Sequence, residues 1–290
     1  MTKEHTITLS NGVTMPKLGL GVFQVDNAAT ASLVKNAIAC GYRLIDTAQA
    51  YYNEAGVGDA IASCKVPRDQ LFITTKVWIS NAGEQAALRS IEESLRKLQT
   101  DYIDLLLIHQ AYGDVFGTYR ALEQALQQGK VRAIGLSNFL GGRFVDMAEH
   151  FSIKPHILQV ETNLYCQQQA TRELIAPYGT HLMAWGPLSH GAQALLSDPV
   201  VTEIAAAHGA TAAQVALSFL TSQGMVAIPK SSHVERMEEN LRALELVLSA
   251  DEMATLRSLD GKQAPAVRDF NDPQLAKFLL GYDAQFNPER

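Results

Sequence analysis

Cysteine is sparse in this sequence and scattered where it occurs. Cys40, Cys64 and Cys166 make an odd set, far apart, with no C-x-x-C spacing. That excludes a disulfide framework and leaves core thiols in a reducing compartment as the expectation. Long apolar runs are also missing. No stretch approaches the ~18 apolar residues of a membrane span, and the opening MTKEHTITLSNG lacks the apolar segment of a secretory signal. A cytoplasmic location follows as the default. Basic clusters are absent too: the net charge is −6 over 290 residues, without the electrostatic footprint of a nucleic-acid binder. No low-complexity stretch or Pro/Ser-rich linker divides the chain, so residues 1–290 read as a single domain.

The composition that remains, 47% hydrophobic and 19% charged, is that of a globular protein with a sizeable core. Near the start, Asn11-Gly12 lies between alternating apolar residues and predicts a β-hairpin. Short apolar runs then alternate with helical spacing. The runs predict strands at Lys17–Leu20, Tyr42–Ile45, Leu71–Thr75, Ile103–Ile108, Ala133–Leu136, Ile157–Glu161, His181–Trp185 and Val226–Ile228. Between them, Leu33, Ala37 and Ile38 form one helical stripe, and Leu88, Ile91, Leu95 and Leu98 another. Asn81 with Glu84, Ser232 with Glu235 and Ser249 with Glu252 read as capping boxes; Gly41 and Gly129 sit where C-caps belong. Eight strands separated by helices predict parallel pairing and a (β/α)₈ barrel. A doubly wound sheet would open with a glycine-rich turn. Gly19-Leu20-Gly21 lacks the third glycine and reads as a strand-end loop.

In such barrels the chemistry sits at the C-terminal strand ends. Asp46 follows the second predicted strand, with Tyr51 just beyond; Lys76 ends the third and His109 the fourth. Ser137 and Asn138 end the fifth, Gln159 lies late in the sixth, Trp185 ends the seventh, and Lys230 follows the eighth. Singly, each has a structural explanation as a cap, a rim charge or a packed core group. Together, four titratable types on neighbouring strand ends point to a used site. No Ser or Cys is placed for a nucleophilic triad, and one histidine with one carboxylate makes a poor metal site. The set suits protonation of an oxyanion. An ammonium ~4 Å from a phenol, at an effective dielectric near 20, favours the phenolate by roughly 4 kcal/mol, about three pKa units. The expectation is therefore that Lys76 brings Tyr51 near the operating pH, Asp46 keeps Lys76 charged, and His109 orients a carbonyl. A hydride must come from a cofactor, and a nicotinamide is the economical donor.

These residues fall within recognisable segments. GYRLIDTAQAYYNE (41–54) with Gly56-Val57-Gly58, ITTKVW (73–78), LLLIH (105–109), GLSNF (135–139) and IPKSSHVERMEEN (228–240) together resemble the aldo-keto reductase superfamily, in register over nearly the whole chain. The compact length looks most like the bacterial 2,5-diketo-D-gluconate reductase type. The resemblance implies that Asp46, Tyr51, Lys76 and His109 form a catalytic tetrad. It implies that Ser137, Asn138 and Gln159 bind a nicotinamide carboxamide, that Trp185 stacks on the ring, and that the loop 187–196, with Pro187 and Leu188, crosses the pyrophosphate. Lys230, Ser231 and Arg236 surround a helix start, where a cation pair suits an added phosphate. The family reading is the 2′-phosphate of NADPH, with Asn240 and Glu239 near the adenine.

Phe23, Tyr52 and Trp78 are expected to line the substrate mouth beside His109, and Arg268 reads as a surface charge of the tail. Asn163, Gly186, Ala111 and Phe23 depart from the usual family pattern without removing a tetrad member. The implied activity is NADPH-dependent reduction of aldehydes or ketones, with small dicarbonyls, keto-sugar acids and aldehydes as substrate classes, by a monomer. A nicotinamide-binding regulatory subunit with low turnover is the alternative. A Schiff-base lyase using Lys76 as nucleophile ranks third, since it leaves Lys230, Arg236 and the Ser137-Asn138 pair without a role.

Overall fold

The computed structural model describes residues 5–191, 193–267 and 269–283. Strands β1 (Thr6–Thr8) and β2 (Thr14–Pro16) pair antiparallel as the predicted hairpin. Leu9 and Val13 close it around Ser10-Asn11-Gly12, with the Leu9 N–H donating to the Val13 carbonyl at 2.8 Å. Gly12 supplies the positive φ of +85° that ends this three-residue turn.

Eight parallel strands follow in one sequential sheet: β3 (Gly19–Gly21), β4 (Leu44–Asp46), β5 (Phe72–Val77), β6 (Ile103–Ile108), β7 (Val131–Ser137), β8 (Ile157–Glu161), β9 (His181–Trp185) and β10 (Val226–Ala227). The sheet closes on itself. Leu18 bridges Ala227 in parallel, the Ala227 N–H reaches the Lys17 carbonyl at 2.8 Å, and the Gly21 N–H reaches the Pro229 carbonyl at 3.2 Å. This is the expected (β/α)₈ barrel.

One element corrects the sequence reading. The first barrel strand, expected at Lys17–Leu20, runs over Gly19–Gly21, so the glycine segment read as a strand-end loop is itself strand. A Cβ on Gly19 would lie 2.4 Å from the Leu44 side chain, and one on Gly21 would lie 3.0 Å from the Ile228 carbonyl. Gly19 thus makes room for the neighbouring strand and Gly21 for the seam, and their lack of side chains blurs where the predicted strand ends.

Helices α1 (Asn27–Cys40), α2 (Glu54–Ser63), α3 (Glu84–Leu98), α4 (Val115–Gln127), α5 (Gly142–His150), α6 (Gln169–Ile175), α7 (Gln193–Leu196), α8 (Pro199–Ala207), α9 (Ala212–Ser222), α10 (Val234–Arg242) and α11 (Ala250–Arg257) occupy the segments between and after the strands. A last helix, α12 (Pro273–Leu280), lies in the tail. Among the described residues no single helix is long and apolar enough to cross a membrane; α8 and α9 pass that test only as a pair bent by 88°. Alternation along the strands divides the core into two layers. On β6, Leu106 and Ile108 face the helices, while Leu105 and Leu107 face the barrel axis. The stripe of Ile91, Leu95 and Leu98 is buried in the outer layer, and so are Leu33, Ala37 and Ile38.

Of the expected capping boxes, Ser249 with Glu252 forms as predicted on α11. Asn81 does not cap α3, which starts after Gly83; the Asn81 amide instead donates to the Gln49 side chain at 2.8 Å. Ser232 does not cap α10, whose N-cap is His233; the neighbouring Ser231 hydroxyl accepts from the His233 N–H at 3.2 Å. Gly41 caps α1 at φ +113°, whereas Gly129 lies one position past the α4 cap.

The hairpin is the floor. Ile7, Leu9 and Met15 join Leu44, Phe72, Ile157 and Val226 at the starts of the strands in the inner cluster. The barrel thus opens only at its C-terminal end. Leu105→Ala, at a fully buried axial position, should destabilise the fold by roughly 2–5 kcal/mol; urea denaturation with an unchanged m-value measures this.

Candidate active site

The parallel register fixes which side chains meet. Asp46 pairs with Thr74 and Lys76 with Leu107, so the ends of β4, β5 and β6 lie side by side. Lys76 points inward at a fully buried position. Its Nζ donates to Asp46 Oδ1 at 2.5 Å, to the Thr47 carbonyl at 2.9 Å and to Tyr51 Oη at 3.1 Å. An ammonium has three donors and no acceptor, so these three acceptors satisfy it completely. Burial pulls the Lys76 amine down, but Asp46 and Tyr51 outweigh burial and hold it above its ordinary value. A lysine so paired is no nucleophile, which removes the Schiff-base reading.

The direction of the third bond has a consequence for Tyr51. Because Lys76 can only donate, the phenol oxygen is the acceptor there, and no described residue takes the phenol's own proton. That proton is left uncommitted by the described residues. Burial pushes Tyr51 above the ordinary phenol value, the Lys76 ammonium draws it back, and the Asp46 carboxylate pushes it up again. The expectation that Lys76 lowers Tyr51 toward neutrality is therefore corrected. The ammonium is already neutralised 2.5 Å away by Asp46, and desolvation of the phenolate wins. Tyr51 is a neutral phenol in this site.

His109, directly after β6, packs edge-on against Tyr51 and Trp78, with ring centroids 5.6 and 5.0 Å apart. Burial, and then the Lys76 charge, pushes it well below the usual histidine value, so the imidazole is neutral. Its Nδ1 is buried with no partner among the described residues.

On the next strand ends, Gln159 donates to Asp46 Oδ2 at 2.8 Å, the Asn138 amide donates to the Ser137 hydroxyl and the His109 carbonyl at 3.2 Å each, and the Trp185 indole donates to Asn138 Oδ1 at 3.0 Å. Ser137, Asn138, Gln159 and Trp185 are thus brought together beside the tetrad. Asn138 reaches this place in the left-handed region at φ +65°. Pro187 and Leu188 begin the segment leading to α7. Lys230 and Arg236 are exposed on either side of the α10 start, with buried Ser231 between, and neither cation pairs with a described carboxylate. Asn240 is buried against the Tyr42 hydroxyl, and Glu239 accepts from Thr211 at 2.8 Å.

Phe23 lies 4.9 Å from the Tyr51 ring and is 45% exposed, whereas Trp78 is buried against His109. Tyr52 holds a positive φ of +55° and donates to Asp283 at 2.5 Å, while Tyr282 stacks on Tyr52 and meets Trp78 edge-on. Leu279 of α12 packs on Ala50 and Trp78. These tail residues escape the sequence reading because nothing in the tail's composition marks them; Arg268, expected as a surface charge, lies outside the described residues. Two of the departures from the family pattern touch each other: the Asn163 amide bonds the Gly186 carbonyl at 3.5 Å.

With this geometry in place, comparison identifies the relatives. The pattern of the Aldo/keto reductase family matches residues 17–261. The chain is 43% identical to glyoxal reductase of Bacillus subtilis, covering 89% of this chain and 93% of that protein. It is 39% identical to morphine 6-dehydrogenase of Pseudomonas putida, covering 96% and 99%. A mutant of Gox0644 solved in complex with NADPH superposes with a TM-score of 0.87 at 35% identity, over 92% and 97% of the two chains. A structure described provisionally as 2,5-diketo-D-gluconic acid reductase B gives 0.84 at 37%, over 88% and 91%. The chain belongs to the aldo/keto reductase family, a family of oxidoreductases.

His109 also predicts an acid-side loss of stability. Its folded value lies below the unfolded one, near 6.5, so its contribution is present above that pH and is lost as pH falls through the folded value. His109→Gln should narrow the drop in melting temperature between pH 7 and pH 5, read by calorimetry.

Proposed function

We propose that the chain is an NADPH-dependent carbonyl reductase that converts aldehydes and ketones to alcohols, with Tyr51 as the general acid. The observation that carries this reading is the one-way hydrogen bond from Lys76 to Tyr51, which leaves the phenol's own proton free to be donated elsewhere. Bound NADPH supplies the hydride. The residues present suit it. The Ser137 hydroxyl accepts from Asn138 and so keeps its own proton to donate, as a carboxamide oxygen needs. Trp185 is fixed by Asn138 with its ring half-exposed, as a stacking surface requires. Lys230, Ser231 and Arg236 at the α10 N-terminus would hold the 2′-phosphate, with Asn240 and Glu239 near the adenine and the segment after Pro187-Leu188 over the pyrophosphate.

The chain's own residues then do the following. Neutral His109 donates to the carbonyl oxygen and orients it. Tyr51 protonates that oxygen as negative charge develops. The 3.1 Å bond from Lys76 strengthens as the phenol loses its proton, so the ammonium favours the transition state over the ground state. Asp46 and Gln159 hold the amine in place. The assembled contacts favour turnover over a nicotinamide-binding subunit with low turnover. Phe23, Tyr52 and Trp78 give the mouth an aromatic lining suited to small dicarbonyls, keto-sugar acids and aldehydes. We place the protein in the cytoplasm as a monomer of one functional unit, in keeping with three cysteines that are all free.

Tyr51→Phe should lower kcat by about 10²–10⁴-fold with NADPH affinity unchanged by fluorescence titration; near-wild-type turnover would overturn the assignment of the acid. Arg236→Ala should weaken NADPH about 10-fold or more, as loss of a charged hydrogen bond implies, while NADH affinity stays level. Equal losses for both cofactors would remove the phosphate role.

A further inference from the structure

Tyr51 is held by more than its neighbours in the tetrad. It ends a single 3₁₀ turn, Gln49–Tyr51, between the end of β4 and the start of α2. Such a turn has little intrinsic rigidity. Gln49, two residues before the tyrosine, spans the gap to β5. Its Oε1 accepts from the Trp78 N–H at 2.9 Å and from the Asn81 amide at 2.8 Å. Its Nε2 donates to the Ser94 hydroxyl at 3.2 Å and the Ser90 carbonyl at 3.4 Å, both on α3. The backbone donor at Trp78 fixes which amide atom is the oxygen, and all four hydrogen-bonding positions of the amide are filled.

The same tie runs by a second route. Ser94 hydrogen-bonds the buried Glu54 at the start of α2, and Glu54 Oε1 accepts from the Thr75 hydroxyl at 2.7 Å. The turn bearing Tyr51 is therefore fastened to β5 at Thr75 and at Trp78, the residues on either side of Lys76-Val77. The network meets the mouth only through the backbone N–H of Trp78, and none of its hydrogen bonds involves the nicotinamide-side residues Ser137, Asn138 and Trp185.

We propose that Gln49 is a positioning residue that sets the separation of the Tyr51 hydroxyl from the Lys76 ammonium by clamping the tyrosine turn to the end of β5. The inference rests on the reading of Tyr51 as the acid. A group displaced by about 1 Å can lose on the order of 10²-fold in rate without losing its ligands. The clamp therefore acts on kcat and spares binding.

The test uses the full-length enzyme with NADPH and 4-nitrobenzaldehyde as probe. Gln49→Met keeps the length and removes every polar contact; Gln49→Glu keeps the acceptor for Trp78 and Asn81. The methionine variant should lose about 10-fold or more in kcat, with KM and NADPH affinity within roughly twofold of wild type. The glutamate variant should recover much of the loss, and a crystal structure of the methionine variant should show Tyr51 Oη further from Lys76 Nζ. A folded methionine variant with wild-type kcat overturns the proposal, and so does an unchanged Oη–Nζ separation. Should that variant fail to fold, Ser94→Ala takes its place: a smaller, kcat-selective loss supports the clamp, and wild-type kcat overturns it. Tyr51→Phe, run alongside, separates the two ideas. If it keeps full turnover, the acid assignment fails and the clamp is judged on the Oη–Nζ separation alone.

Discussion

The site depends on one buried ammonium having three acceptors and nothing else. A charge at the wall of an apolar barrel is tolerated only when it is paired and hydrogen-bonded. Lys76, on β5, meets that condition with a carboxylate at the end of β4, the backbone carbonyl of the next residue and a phenol from the turn that follows. The arrangement fixes more than charge. Since the nitrogen can only donate, it dictates the polarity of every bond around it and makes the phenol oxygen an acceptor, leaving the phenol's own proton uncommitted. The phenol's role in the hydrogen bond is set by the chemistry of its neighbour.

The fold supplies this constellation through register. Parallel strands advance in step around the barrel, so residues far apart in sequence arrive at one height on one rim. Asp46, Lys76 and His109 end successive strands, and Ser137, Gln159 and Trp185 continue the arc. The loops add what the strands cannot. Asn53, just after the tyrosine turn, accepts from Thr47 at 2.7 Å and donates to the carbonyls of Val22 and Val25 at 2.9 Å each. It ties the tyrosine loop to the first barrel strand, as Gln49 ties it to the third.

Much of this was legible in the order of residues. Apolar runs located most of the strands because buried parallel strands are apolar on both faces. The tetrad was legible because charge at the end of such a run is unusual. The first barrel strand was located at Lys17–Leu20 but its end was misplaced, because Gly19 answers to the Leu44 side chain on β4 and Gly21 to the Ile228 backbone across the seam, which no local pattern reveals. Asn81 and Ser232 looked like caps by spacing; tertiary partners claimed the first, and α10 begins too late for the second. The proton affinity of Tyr51 was misjudged for a different reason. A pairwise attraction from Lys76 was counted without the neutralising Asp46 and the loss of water, both of which need three dimensions. Tyr282 and Asp283 were invisible, because only the folded tail brings them over Tyr52.

The plugged floor has a final consequence. With Ile7, Leu9 and Met15 sealing the base, the barrel is a cul-de-sac, and arrivals and departures share the single doorway at the strand ends. The aromatic residues and the tail beside that doorway are at once wall and gate, so remodelling them changes admission and release together. The foundation beneath, carrying the charged apparatus, can stay untouched while the threshold is rebuilt.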